Sequence, residues 1–304
     1  MSVLIKVIET ALPVMLTLLI GMFCREKQFL SREGVDALKK VVINITLPAV
    51  LVNAFATAEY SLSSLAIPVL VFLLCCLGLV VGKFLSKIFG LGKLPAYLAT
   101  GFEAGMLGYA LFALLFPEDS ASNFAILDLG QTLFVFTLYK ALLSGKSGRQ
   151  AVVKDIVTSP IIWAITAGVL LGATGLYGLM GKIGVSGILD SVTSFISAPT
   201  GMIILMAVGY DLDLKEIRWK ETGRFIALRL ISMAVLLGIL LLVNRFVLGG
   251  VIHVGAAVLL FLLPPPYVLP IFSDEEDQRA RLSSAISALT LVTMILFAVM
   301  AVVV

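Results

Sequence analysis

Ten long runs of mostly apolar residues fill the chain, and only short polar connections separate them. A run of roughly 18 or more apolar residues is long enough to cross a bilayer as a helix. The pattern therefore predicts an all-α polytopic membrane protein with ten transmembrane spans. These spans cover residues 7–24, 39–57, 65–86, 94–116, 123–143, 156–175, 189–210, 224–244, 253–272 and 283–303.

Two of these spans carry residues that interrupt a helix. Leu259–Phe272 in span nine has prolines at positions 264, 265, 266 and 270, and each proline removes a backbone donor and clashes with the preceding turn. Thr100–Ala110 in span four contains three glycines and an acid, Glu103. Irregular backbone at membrane depth is tolerated only where it is buried in protein or lines a cavity. We therefore predict that the two breaks meet and form a binding site.

Composition limits the classes of function. The chain is 60% hydrophobic and 13% charged, with a mean hydropathy of +1.09. The spans leave no room between them for a soluble nucleotide-binding or catalytic domain, which excludes ATP-driven pumping by this chain alone. The sequence has no nucleophile–base pair, metal-ligand spacing or cofactor fingerprint. We expect no enzyme activity, no catalytic residues, no cofactor, no metal site and no nucleic-acid partner.

The positive charges predict the orientation in the membrane. Of the 22 Lys and Arg residues, 19 flank the connections after the odd-numbered spans, and only Lys6, Lys182 and Arg245 lie on the other side. Because positive residues accumulate in the cytoplasm, both termini are expected outside a plasma (inner) membrane that the chain crosses many times. In this assignment Arg229 belongs to a cytoplasmic flank, and no Lys or Arg lies near mid-membrane.

Five spans in each half give residues 1–145 and 146–304 opposite orientations in the membrane. Pro48 of span two precedes Tyr60 by 12 residues, and Pro199 of span seven precedes Tyr210 by 11. Each proline falls near the middle of its span, and each tyrosine stands beside an acid. We therefore predict a five-plus-five inverted repeat, in which the broken spans four and nine occupy corresponding positions.

Polar side chains inside spans are candidates for function, since an ionisable group in the membrane is costly. A carboxyl group takes up a proton more readily away from water, so Glu103, near the predicted mid-membrane, is a candidate proton carrier. Asp128 and Gln131 of span five are candidates for a coupling ion or proton. The alternative is that Asp128 and Gln131 only hold the freed backbone of the broken helices.

Several segments taken together resemble the auxin efflux carrier family, which includes plant PIN proteins and bacterial malate or malonate permeases. These segments are Ile45–Ala49, Asp128–Gln131 followed by Leu133–Thr137, Ser159–Pro160, and Pro199 followed by Gly209–Leu212. The resemblance covers the whole chain. It implies a fold like that of NhaA and the bile acid sodium symporters, with spans four and nine crossing at their breaks. It also implies elevator transport of small organic anions, with spans 1, 2, 6 and 7 as scaffold and spans 3–5 and 8–10 as transport domain.

The chain departs from the family pattern at the crossing. Glu103 stands where the family usually has an asparagine, Ala110 stands where it has a proline, and Pro264–Pro270 contains no asparagine. The candidate substrate-binding residues are Asn44, Pro48, Glu103, Gly105, Gly108, Pro199, Pro265, Pro266 and Tyr267.

The leading interpretation is a secondary transporter of a small carboxylate. Helix N-termini at the crossing can hold an anion without any Lys or Arg, and Glu103 would link transport to protons. One alternative is that Glu103, Asp128 and Gln131 bind Na⁺ or a cationic substrate. Another is a ligand sensor that does not transport. The expected partners are the small organic anion, the lipid bilayer and a second copy in a homodimer.

Overall fold

The computed structural model describes residues 3–58, 60–143, 157–212, 219–267, 269 and 276–303, and every regular element in these ranges is helical. The α-helices are α1 (Val3–Glu26), α2 (Arg32–Val41), α3 (Leu47–Ala56), α4 (Leu62–Ile88), α5 (Tyr109–Leu115), α6 (Ser122–Phe134), α7 (Lys140–Leu143), α8 (Pro160–Ala173), α9 (Leu176–Lys182), α10 (Ser186–Ser197), α11 (Thr200–Asp211), α12 (Trp219–Phe246), α13 (Val254–Leu262) and α14 (Glu276–Val303). Wide π-helical turns occupy Val42–Thr46, Ala104–Gly108 and Val135–Tyr139, and a 3₁₀ helix occupies Leu94–Ala99.

The chain is a helical, multi-pass membrane protein. In the described ranges, five continuous helical stretches are long and apolar enough to cross a bilayer: Leu65–Ile88, Ser122–Leu143, Ser186–Asp211, Thr222–Phe246 and Ala280–Val303. The pair α8 and α9, bent by 63°, is a sixth candidate. Helical segments lie in all ten predicted ranges, but the ten-span inverted repeat stays a prediction. Its boundary at residues 145 and 146 lies outside the described residues.

Two pairs of helices pack with their backbones in direct contact. In the pair α1 and α11, a methyl group on Gly209 would overlap the carbonyl oxygen of Leu18 and lie 2.7 Å from its carbonyl carbon. In the pair α3 and α8, a methyl group on Gly168 would lie 2.8 Å from the carbonyl oxygen of Val52. Small residues allow this close approach. In lipid, where the hydrophobic effect does not bring helices together, such close packing drives their association.

A second packed group surrounds α4. Helix α4 contacts α6, α12 and the 3₁₀ helix, and α12 also contacts α13 and α14. Gly82 of α4 faces the carbonyl group of Ala96 at a distance that admits no side chain. This packing fixes the start of the interrupted span four against α4.

The contact at Gly209 predicts a difference between two otherwise similar substitutions. Gly209→Ala forces a methyl group into the Leu18 backbone, and such overpacking costs about 1–3 kcal/mol in the free energy of unfolding. Gly238 of α12 has open space around it, so Gly238→Ala should be neutral or should stabilise the helix by up to about 1 kcal/mol. Thermal unfolding of the purified protein in detergent measures both. Equal stability of the two variants would contradict the packing.

Candidate functional site

The first interruption lies between the 3₁₀ helix Leu94–Ala99 and the π-turn Ala104–Gly108 that leads into α5. Residues 100–103 are not helical. Gly101 has φ +70°, a left-handed conformation that favours glycine. The Thr100 hydroxyl donates a hydrogen bond to the carbonyl oxygen of Cys75 on α4 at 2.7 Å. The break is therefore held against α4.

The second interruption follows α13, which ends at Leu262 because Pro264, Pro265 and Pro266 cannot continue a helix. Leu263 is extended, with ψ 151°. The fourth proline, Pro270, lies outside the described residues.

The two interruptions contact each other through backbone and side chain. The Glu103 N–H donates to the carbonyl oxygen of Pro264 at 2.9 Å, and the Tyr267 N–H donates to Oε2 of Glu103 at 2.6 Å. A methyl group built on Gly101 would meet Cγ of Pro266 at 2.9 Å. Glu103 is therefore hydrogen-bonded to two residues of the second interruption, Pro264 and Tyr267. We call the region where the two interruptions meet the crossing.

Arg229 of α12 lies at the crossing, and this corrects the sequence analysis. Its side chain is only 2% exposed, and its guanidinium donates to the carbonyl oxygens of Leu98, Gly101 and Leu263 at 2.9, 2.9 and 2.8 Å. The same group lies 5.2 Å from the ring centroid of Phe102. The expectation that the site contains no Lys or Arg is wrong. Arg229 lies ten residues inside α12, and its neighbour Arg224 made it look like part of a charged flank.

Asp128 of α6 forms a buried cluster beside the crossing. Its carboxylate accepts hydrogen bonds from the Tyr109 hydroxyl at 2.9 Å, the Gln131 amide at 2.6 Å and the Thr132 hydroxyl at 3.0 Å. Oε1 of Gln131 accepts from the Phe102 N–H at 3.3 Å. Gln131 thus connects the Asp128 cluster to the first interruption. The three hydrogen bonds to Asp128 satisfy its buried carboxylate.

A cavity of about 920 Å³ reaches the crossing. Phe102, Glu103, Pro266 and Tyr267 line it together with the Asp128 cluster, and Ser283, Ser287 and Thr290 of α14 line another wall. The Tyr267 hydroxyl lies 3.2 Å from that of Thr290. This volume lies in the range of small-molecule sites, about 300–1,000 Å³.

Four charged residues line the same cavity in addition to Glu103 and Asp128. Asp211 at the end of α11 accepts from Arg32 at 2.7 Å and from Lys39 at 2.5 Å, both on α2. Asp36 lies 3.6 Å from each of these cations. The group is partly exposed, so its contribution to stability is small, but it gives the cavity two positive and two negative charges.

The structure brings six predicted site residues to the cavity and leaves five away from it. Those that line it are Glu103, Gly105, Asp128, Gln131, Pro266 and Tyr267. Those that do not are Asn44, Pro48, Gly108, Pro199 and Pro265.

The residues away from the cavity have other surroundings. Asn44 is exposed and donates to the carbonyl oxygen of Lys40 at 2.7 Å. A methyl group on Gly108 would meet the Phe124 ring at 2.5 Å, so this glycine serves packing. Pro48 stands in the first turn of α3, after a π-turn whose ladder it cannot continue, and Pro199 precedes α11. Pro265 is buried within the second interruption.

Comparison with known proteins identifies related membrane proteins. Residues 6–149 match a family described as membrane transport protein. An uncharacterized transporter of Methanothermobacter thermautotrophicus is 27% identical over 218 residues, which cover 69% of each chain. An uncharacterized transporter of Methanocaldococcus jannaschii is 26% identical over 222 residues, 69% of this chain and 70% of the relative.

Two substitutions separate the effect on stability of the close approach at Gly101 from the effect of its left-handed backbone conformation. Gly101 and Gly90 have nearly the same positive φ, +70° and +66°, so alanine at either position costs about 1–2 kcal/mol of left-handed strain. Only at Gly101 does the new methyl group also meet Pro266. We expect Gly101→Ala to lower the thermal unfolding temperature clearly more than Gly90→Ala does. Equal losses would show that the two breaks can separate without cost.

Proposed function

We propose that the chain is a membrane transporter of the auxin efflux carrier family and that it moves a small organic anion, a carboxylate, across the membrane by alternating access. The substrate binds where the two interrupted helices cross. The observation that carries this proposal is that Glu103, which lines the cavity, is hydrogen-bonded to Pro264 and Tyr267 of the second interruption. Interrupted helices at a cavity are the usual means by which secondary transporters present backbone groups to a substrate.

The helix start at Ala104 supports an anion as substrate. The first N–H groups of a helix lack intrahelical partners and carry partial positive charge. Gly105, in this first turn, lines the cavity and lacks a side chain that would cover its backbone. A carboxylate can therefore approach these N–H groups directly.

Glu103 has a position suited to a proton carrier. Its carboxylate lines the cavity and accepts the Tyr267 N–H at 2.6 Å, a charge-assisted hydrogen bond. Protonation removes the negative charge that repels an anion and weakens the bond that ties the two interruptions. One proton can thus favour both substrate entry and a change at the crossing.

The packing supports two oppositely oriented halves, residues 1–145 and 146–304. Exchange of the halves maps span one onto span six and span two onto span seven, so the pair α1–α11 corresponds to the pair α8–α3. Both pairs have backbone contact at glycines. In the proposed elevator, spans 1, 2, 6 and 7 form the scaffold, and spans 3–5 and 8–10 move with the substrate.

The proposed orientation places both termini outside the plasma membrane. Arg32 and Lys39, which line the cavity, belong to the side that has 19 of the 22 positive residues. With that side in the cytoplasm, the cavity opens inward.

A cation as coupling ion or substrate is the second candidate, because Glu103, Asp128 and Gln131 line one cavity. The hydrogen bonds of Asp128 disfavour it in this conformation. Three donors already occupy the carboxylate oxygens that would bind Na⁺.

Uptake into proteoliposomes tests the proposal. With labelled malonate or malate as probe, acid outside should raise uptake in the wild type, because protonated Glu103 admits the anion. Glu103→Gln keeps an oxygen that accepts the Tyr267 N–H but cannot titrate, so its uptake should be independent of pH. Glu118→Gln is the control, since Glu118 is exposed and does not line the cavity.

Two outcomes would contradict the proposal. An unchanged pH profile in Glu103→Gln excludes Glu103 as the proton carrier. Uptake of a cationic probe but of no carboxylate, or uptake that requires Na⁺, favours the second candidate. Binding without uptake indicates a sensor.

A further inference from the structure

Arg229 is a buried charge with neutral partners. Its three hydrogen bonds go to backbone carbonyl oxygens, and no described carboxylate forms an ion pair with it. Its Nε, also buried, has no hydrogen-bond partner among the described residues. Burial of an unpaired charge is expensive, above all inside a membrane. A neutral donor such as glutamine could also bind carbonyl groups, so the charge itself needs a reason.

The three carbonyl groups share a position in the two interruptions. Leu98 lies in the last turn of the 3₁₀ helix Leu94–Ala99, Gly101 comes two residues after that helix, and Leu263 follows α13. Carbonyl groups at helix C-termini lack intrahelical partners and carry partial negative charge. Arg229 therefore neutralises the negative ends of both half-helices at the crossing, while the positive helix start at Ala104 lies beside the cavity.

Phe102 separates the guanidinium from the cavity. Phe102 lines the cavity and Arg229 does not, and 5.2 Å separates the guanidinium carbon from the centroid of the Phe102 ring. A ligand in the cavity thus does not touch Arg229. The electric field of Arg229 acts on the cavity through the apolar side chain of Phe102, where electrostatic interactions are screened less than in water.

We propose that Arg229 is a specificity-determining residue, a fixed positive charge behind Phe102 that makes the cavity favour anions. This inference rests on the proposed function and identifies the residue that makes the site select anions. Arg229 acts on the ligand through its electric field and through the carbonyl groups to which it is hydrogen-bonded.

The balance of charges at the crossing explains why such a residue is needed. Glu103 and Asp128 line the cavity and would exclude an anion if both were ionised. Arginine keeps its charge near neutral pH whereas carboxyl groups titrate, so Arg229 offsets one negative charge. With Arg229 present, a single proton on either carboxyl brings the three groups to neutrality. Without it, two protons would be needed.

Charged thiol reagents can measure this field without any substrate. Ser287 lines the cavity one turn before Thr290, so Ser287→Cys introduces a reporter thiol. The native Cys24 and Cys75 are buried and Cys76 is half-buried, and the protein without the reporter gives their background. The measured quantity is the rate of reaction with an anionic sulfonatoethyl methanethiosulfonate, divided by the rate with its cationic trimethylammonium counterpart.

We expect Arg229→Gln to lower this anion-to-cation rate ratio by about fivefold or more, because the positive charge behind Phe102 is lost. Arg229→Lys should keep a ratio close to that of the wild type, although its thermal stability falls, since an ammonium group cannot reach all three carbonyl groups. Arg245→Gln is the matched control. It removes the same charge from the exposed far end of the same helix and should leave the ratio unchanged.

An unchanged ratio in folded Arg229→Gln would overturn the proposal, and so would an equal fall in Arg245→Gln. If Arg229→Gln does not fold, Arg229→Lys decides. A low ratio in this charge-retaining variant would contradict the role of the charge. The reagents need no transport, so a fall in the ratio together with absent carboxylate uptake would refute the proposed substrate class and leave Arg229 as the source of the field.

Discussion

The structure depends on one constraint, which is that carbonyl groups freed by a broken helix must find donors where water is absent. At the crossing, Arg229 donates three hydrogen bonds at once. The acceptors are the carbonyl oxygens of Leu98 in the 3₁₀ helix, Gly101 in the first interruption and Leu263 in the second. The remaining bonds come from the breaks themselves, through Glu103 and the Pro264 carbonyl. Two irregular segments thereby become one hydrogen-bonded unit around a single side chain.

This solution combines binding and support in the same residues. Glu103 lines the cavity and also accepts the Tyr267 N–H, so a change in its charge alters both the charge of the cavity and the connection between the breaks. Gln131 likewise bonds to Asp128 with one end and to the first break with the other. A buried polar network of this kind is stable only when each member is satisfied. A ligand that replaces one partner therefore affects the others.

The sequence predicted the features that follow from local chemistry. Four prolines in an apolar run and three glycines around Glu103 were enough to locate both breaks, because their effect on a helix does not depend on neighbours. The position of Asn44 away from the cavity and that of Arg229 at the crossing were not predicted, for a different reason. Which face of a helix meets the cavity depends on packing, and an arginine near a charged flank looks the same whether it points to the lipid headgroups or inward. An arginine several residues inside an apolar span was nevertheless a signal that could have been followed.

The glycine contacts between α1 and α11 and between α3 and α8 have a mechanical consequence. Sliding of two helices normally proceeds by rotamer changes in the side chains between them. Where a backbone lies directly on a backbone, as at Gly209 and Gly168, no rotamers exist to absorb a displacement. These two pairs must therefore move as rigid bodies. Any large rearrangement of this protein has to occur along surfaces where larger side chains intervene.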